Sequence, residues 1–170
     1  MLSKSKGALL PVCVHEKLTN SFLRGISTKH CPLVCSMLDS LTFHRMQFSI
    51  ATNSVGNSYM VFKRKSGNDE PWLAGCIQMI FHLLIGEMMH SPFFVIKPYL
   101  PLNVTDTQFD PYHTFLFIAG QLVHEECRDP LVCMLNKVLS HFVHTPYKSL
   151  HIPKQCIPVL PLNRVCACFL

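Results

Sequence analysis

A chain of 170 residues is long enough to bury one hydrophobic core and short for two. Hydrophobic residues make up 49% of it and charged ones only 15%, which excludes a disordered, self-repelling chain, and the net charge of +5 permits contact with an acidic partner without requiring one. The longest apolar run, residues 77–89, is broken by Gln78, His82, Gly86 and Glu87 and falls short of the about 20 apolar residues a spanning helix needs, so no membrane segment is expected.

The first ten residues read as a frayed end, with no apolar stretch of leader length before Pro11. Pro11 suits the first turn of a helix, and Val14, Leu18, Phe22 and Ile26 follow at the spacing of one helical face, which predicts an amphipathic helix ending near Gly25. Residues 27–40 are interrupted by Cys31-Pro32, and a short helical turn is expected over residues 33–41. Met46, Phe48 and Ile50 alternate and predict a strand over residues 45–51. Asn53, Gly56 and Asn57 supply a turn, and residues 59–64 form a second strand. With the polar loop 65–71, these two strands are expected to make a hairpin. The longest strand is predicted over residues 72–84, where Gly75 signals a bulge or a close backbone approach. A fourth is expected over 93–99, ended by Pro98 and Pro101.

Residues 103–112 read as a loop, with a turn at Asp110-Pro111-Tyr112. Residues 115–119 form a short extended piece. Strands are expected over 121–125 and 131–135, joined by a turn at Arg128-Asp129-Pro130. A helical turn follows over 136–140 and a last strand over 141–145. Short strands at this spacing predict a mainly β fold: a small, strongly bent antiparallel β-barrel of five to seven strands with the helix packed outside. The expected organisation is residues 1–44 as helix and irregular segment on the barrel, 45–147 as the barrel, and 148–170 as an irregular, poorly ordered tail rich in proline and cysteine.

Several segments in order carry a family resemblance: Gly56-Asn57-Ser58-Tyr59-Met60-Val61-Phe62, Ala74-Gly75-Cys76-Ile77-Gln78-Met79-Ile80-Phe81, the stretch from Val95-Ile96-Lys97-Pro98-Tyr99 to Asp110-Pro111-Tyr112, and Val138-Leu139-Ser140-His141-Phe142-Val143-His144-Thr145-Pro146. Together they cover about the middle two thirds of the chain, and the motif order resembles a β-rich domain of transposon-associated proteins in mushroom-forming fungi. That domain is in turn similar to the bromo-adjacent homology domain, a barrel used for chromatin contacts. The resemblance implies a β-rich interaction module near the C-terminal end of a larger reading frame, or a decayed fragment of one.

No sequence motif has a unique chemistry. His30, Cys31 and Cys35, with His141 and His144, are the closest approach to zinc-ligand spacing, yet the two groups lie more than a hundred residues apart, against the two close pairs of a structural site. Cys166 and Cys168 make a dithiol with two ligands only. Nine cysteines and ten histidines allow many chance pairings, so a cysteine nucleophile is not identified. The carboxylate pairs are Glu125 with Glu126, which alternate to opposite faces of a strand, and Asp106 with Asp110. Phosphate-binding glycine loops are absent. The odd cysteine count points to reduced thiols and a nuclear or cytoplasmic setting.

Two binding surfaces remain. Trp72, Tyr59, Tyr99 and Tyr112 sit at predicted strand ends or loops, where aromatic rings can enclose a methylated lysine. Lys63, Arg64 and Lys65 form a basic run at a hairpin tip that suits a phosphate backbone. The expectation is a non-enzymatic interaction module without cofactor, metal or small-molecule substrate, binding chromatin protein, nucleic acid or the rest of its own parent chain. The alternative is a metal- or cysteine-dependent enzyme.

Overall fold

The computed structural model describes residues 7–21, 34–63, 72–85, 88–89, 91–114 and 120–162. In chain order the elements are β1 (Gly7–Leu9), α1 (Val12–Ser21), β2 (Val34–Leu38), β3 (Ser40–Phe43), β4 (Met46–Ser49), β5 (Tyr59–Lys63), β6 (Trp72–Ile85), β7 (Met88–Met89) and β8 (Phe93–Pro101). Then come α2 (Val104–Thr107), α3 (Pro111–Thr114), β9 (Gln121–Cys127), β10 (Leu131–Met134), a 3-10 turn (Leu135–Lys137), β11 (Val138–His141) and β12 (Cys156–Val159). The fold is mainly β: a curled antiparallel sheet forms a half-barrel, with α1 packed against it.

Two long strands make the curl. The first half of β6 pairs with β5, from Lys63 opposite Trp72 to Tyr59 opposite Cys76, and its second half pairs with β2, from Leu38 opposite Ile80 to Val34 opposite Leu84. Its other edge pairs with β8. In the same way β8 gives its first half to β10 and its last residues to β9. Each long strand therefore pairs with two different strands along one edge and bends between them. In β6 the bend is a bulge: Ile77 faces Ile96 and Met79 faces Val95, leaving Gln78 unmatched. The extra residue switches the alternation, so Ile77 and Ile80, three apart, enter the same core cluster.

That cluster, with Phe48, Met60, Phe62, Phe94 and Ile96, lies beneath the β3–β4 hairpin. Residues of opposite parity, Phe81, Leu83, Phe93 and Val95, meet Val14 and Leu18 of α1. The stripe expected on the helix is thus buried at Val14 and Leu18; Phe22, Gly25 and Ile26 lie outside the described residues.

The third cluster is the barrel interior. Val61, Ala74, Tyr99, Val123, Ile157 and Val159 come from β5, β6, β8, β9 and β12, and Phe142 follows β11. Beyond β11 the chain crosses to β12. Phe142 bridges Pro161 and Tyr147 bridges Cys156, two contacts that fit one antiparallel register. Tyr147 N–H donates to Cys156 O at 2.7 Å, Cys156 N–H to Tyr147 O at 2.9 Å, and Leu162 N–H to His141 O at 2.9 Å. Isolated bridges thus link the segment after β11 to β12 and its flank.

Several expectations are corrected. Residues 34–38 and 40–43 are strands rather than a helical turn, because the second half of β6 exposes an edge whose backbone groups β2 satisfies. The frayed start contains β1, paired with β2. The two strands expected to form a hairpin do not pair: β4 pairs with β3, across a turn with His44 at φ 47° and Arg45 at φ 65°, while β5 pairs with β6 and β11. β8 continues through Pro98 to Pro101. The 103–112 loop carries α2 and α3. The helical turn expected over 136–140 is a 3-10 turn at 135–137 followed by β11. The segment from Lys148, expected as irregular, contributes β12 and the buried Ile152 to the fold. The piece expected at 115–119 lies outside the described residues.

Candidate functional site

Tyr59 opens β5 opposite Cys76, and Tyr99 lies near the end of β8 opposite Cys127. The crossing segment 142–147 brings Phe142 and His144 to the same place. The His144 ring stacks on Tyr59 with centroids 4.6 Å apart and planes 17° apart, and lies 6.0 Å from Tyr99. Phe142 touches both tyrosines, at 5.6 Å and 6.3 Å. Glu125 completes the cluster, with Oε1 at 3.7 Å from His144 Nε2. It is placed by a bulge: Tyr99 faces Cys127 and Leu100 faces His124, which leaves Glu125 and Glu126 unmatched on β9.

Depth sorts these groups. Tyr99 is 6% exposed and forms the floor, Tyr59 is half-buried, and the Glu125 side chain is 39% exposed at the rim. Burial, with smaller contributions from Cys76 and Glu125, pushes the Tyr59 phenol up. Burial pushes Tyr99 up further, aided by Cys76, Tyr59, Cys127 and Glu125. Both phenols therefore stay neutral. A carboxylate at the rim beside stacked rings attracts a cation, by charge and through the ring faces.

The other aromatic candidates go elsewhere. Trp72 packs on the barrel interior but sits four residues along β6 from Cys76, about 13 Å from the Tyr59 level. Tyr112 packs with Leu102 on Leu122, Ile152 and Cys156. Lys63 ends β5 opposite Trp72; Arg64 and Lys65 lie outside the described residues. Of the metal candidates, His141 stacks on Phe48 at 4.2 Å and its Nδ1 donates to Tyr59 O at 2.9 Å, while His144 stacks on Tyr59. Cys35 is buried under α1, and His30, Cys31, Cys166 and Cys168 are outside the described residues. Among the described residues no three His, Cys, Asp or Glu side chains are grouped to hold a metal. The members of each acid pair have separate hydrogen-bond or ion-pair partners. Glu125 faces His144 and Glu126 faces Lys154 at 2.8 Å. Asp110 accepts from Tyr112 N–H at 2.9 Å and Leu122 N–H at 3.1 Å, which fixes α3 to β9.

One constellation escapes any reading of the sequence. β9 and β12 place His124 opposite Cys156. His124 Nδ1 lies 3.9 Å from Cys156 Sγ, and its Nε2 lies 3.5 Å from Asp106 Oδ2. Asn103 holds Asp106, donating from Nδ2 at 2.8 Å and accepting from Asp106 N–H at 2.7 Å. The order thiol, imidazole, carboxylate is that of an activated nucleophile. Burial contradicts the role. Cys156 is 0% exposed, and burial holds its thiol up, with Asp106 and Asp110 adding to the effect. An active cysteine needs the opposite shift and access to substrate.

Thiol labelling tests this directly. Burial also pushes Cys133 up to about 12 and raises Cys35, and both are buried, whereas Cys13 and Cys127 are exposed. In the native protein at mild alkaline pH, iodoacetamide is expected to modify Cys13 and Cys127 and to spare Cys35, Cys133 and Cys156 until denaturant is added. Peptide mapping by mass spectrometry reads the result. Native labelling of Cys156 as fast as Cys127 overturns the structural reading of the buried line.

Comparison of the chain with protein-family models, with curated proteins and with solved structures returns no significant match.

Proposed function

We propose that the chain is a non-catalytic interaction module that takes a cationic side chain of a protein partner at the rim formed by Tyr59, His144 and Glu125. One observation carries the reading: three segments distant in sequence converge there, placing stacked rings beside a carboxylate that remains open to solvent. A lysine or methylated lysine on a basic tail, of the kind chromatin proteins present, has the matching chemistry. The motif order that resembles the transposon-associated fungal domain, and through it the bromo-adjacent homology domain, supports the same class of partner.

Fluorescence anisotropy with basic tail peptides carrying unmodified, mono-, di- and trimethylated lysine tests the proposal. Glu125→Gln is expected to weaken binding about tenfold, or about 1.4 kcal/mol, with an unchanged melting temperature because the carboxylate lies at the rim. The reading is overturned if no cationic peptide binds the wild type. Steeply salt-dependent binding of random DNA in its place moves the function to nucleic acid.

A further inference from the structure

Imidazole is the side chain whose charge changes between about pH 5 and 8, and the rim is built around one. His144 lies between the Tyr59 ring, nearly parallel at 4.6 Å, and the Glu125 carboxylate, 3.7 Å from its Nε2. Its side chain is 17% exposed, so protons reach it while the stack on Tyr59 holds the ring. These contacts have opposite consequences in the two protonation states. A neutral His144 adds a ring face and leaves the Glu125 charge to a cation from outside. A protonated His144 is itself a cation in contact with an aromatic face and a carboxylate, the two features by which the rim attracts a partner's lysine.

The other ionisable groups around His144 leave this contest to Glu125. From β5 and β8 come Tyr59 and Tyr99, whose phenols burial keeps neutral. From β9 comes Cys127, whose thiol burial raises. From β6 comes the Cys76 thiol, opposite Tyr59 and 3.4 Å from Ser58 Oγ. Lys97 of β8 lies opposite Cys76, two strand spacings or about 10 Å from Tyr59. Glu126, next along β9, is held by Lys154. The two nearby histidines have partners of their own. His141 stacks on Phe48 and donates to Tyr59 O, and His124 faces Cys156 and Asp106. A proton on His144 and a partner's cation therefore compete for one carboxylate.

We infer that His144 is a pH switch on the rim: once protonated it takes the Glu125 carboxylate for itself, and the site releases its cationic partner as pH falls. The inference rests on the rim reading. Fluorescence anisotropy at about pH 7.5 and about pH 5.5 tests it, with histidine-free tail peptides carrying unmodified or trimethylated lysine. Both peptides stay charged over this range, so a change in affinity reports the protein. Binding is expected to weaken about tenfold at the lower pH, within the about 5–150-fold of typical couplings between two ligands. His144→Phe keeps a ring beside Tyr59 and takes no proton, and its affinity is expected to be the same at both values. Should that variant not fold, proton NMR of the wild type supplies a second measure. Because the coupling is reciprocal, saturating peptide is expected to move the titration of the His144 Cε1 proton to lower pH. Equal or tighter wild-type binding at the lower pH, a pH dependence that survives in His144→Phe, or a titration that peptide leaves unmoved overturns the inference and leaves the rim reading standing. Absence of binding at both values overturns both.

Discussion

A chain ending at Tyr147 is expected to be unfolded, while one ending at Leu162 is expected to melt cooperatively. The segment between supplies Ile152 at 2% exposure and Cys156, Ile157 and Val159 at 0%. Burial of four such side chains stabilises by about 6–12 kcal/mol at about 1.5–3 kcal/mol each, comparable with the whole stability of a domain, about 5–15 kcal/mol. The loss is also structural. Without β12 the edge of β9 is unpaired, His124 loses Cys156 as its neighbour, and Phe142 loses its bridge to Pro161. Ile157→Ala alone leaves a cavity among Val61, Tyr99 and Val123 and is expected to cost about 3 kcal/mol. Far-UV circular dichroism and urea denaturation read all three chains. A cooperative transition at full-length stability in the chain ending at Tyr147 overturns the assignment of β12 to the core.

The same segment shows why part of the fold was illegible. Pro153, Pro158 and Pro161 suggest an irregular tail, because proline lacks the donor a ladder needs. Donors alternate between the two edges of a strand. Cys156 N–H points away from β9, to Tyr147 O, and so does the position of Pro158 two residues on. Its missing N–H therefore costs the β9–β12 ladder nothing. Only the partner strand reveals this. Alternation was legible where it is local, as at Met46 and Phe48, and Gly75 announced its close approach. Residues 33–41 misled because their conformation is set by the open edge of β6. The site was half legible. Tyr59 and Tyr99 were singled out for their rings. His144 was weighed as a metal ligand and Glu125 as half of a carboxylate pair, and only the strand register and the β9 bulge bring all four together.

Gly75→Ala is expected to cost about 3 kcal/mol or more, at the upper end of overpacking effects. A Cβ there would stand 2.6 Å from Ile96 Cγ2, 2.7 Å from Lys97 O and 3.0 Å from Pro98 Cα. Two of these are backbone atoms held in the β6–β8 ladder, and Ile96 is fully buried, so no neighbour can yield cheaply. The backbone angle of Gly75 is not left-handed, so the position needs the absence of a side chain rather than glycine's freedom. Two other glycines grade the effect. At Gly120 the nearest atoms belong to the Leu160 and Tyr112 side chains, at 2.7 Å and 2.9 Å, which can shift, and alanine is expected to cost about 1–2 kcal/mol. At Gly56 nothing lies within 4 Å, and alanine is expected to stabilise by up to about 0.5 kcal/mol through the unfolded chain. Urea midpoints at constant slope give the order, and equal midpoints for the Gly75 and Gly56 variants overturn the steric account. Ile96→Leu, which removes the β-branched Cγ2, in the Gly75→Ala background separates the contributions. If the methyl contact matters, the double variant is more stable than the sum of its parts by about 1 kcal/mol. If Lys97 O alone resists, the two costs add. Because Tyr99 follows Pro98 by one residue, displacement of β8 at this point also moves the floor of the rim, so the Gly75 variant is expected to lose cationic-peptide binding along with stability.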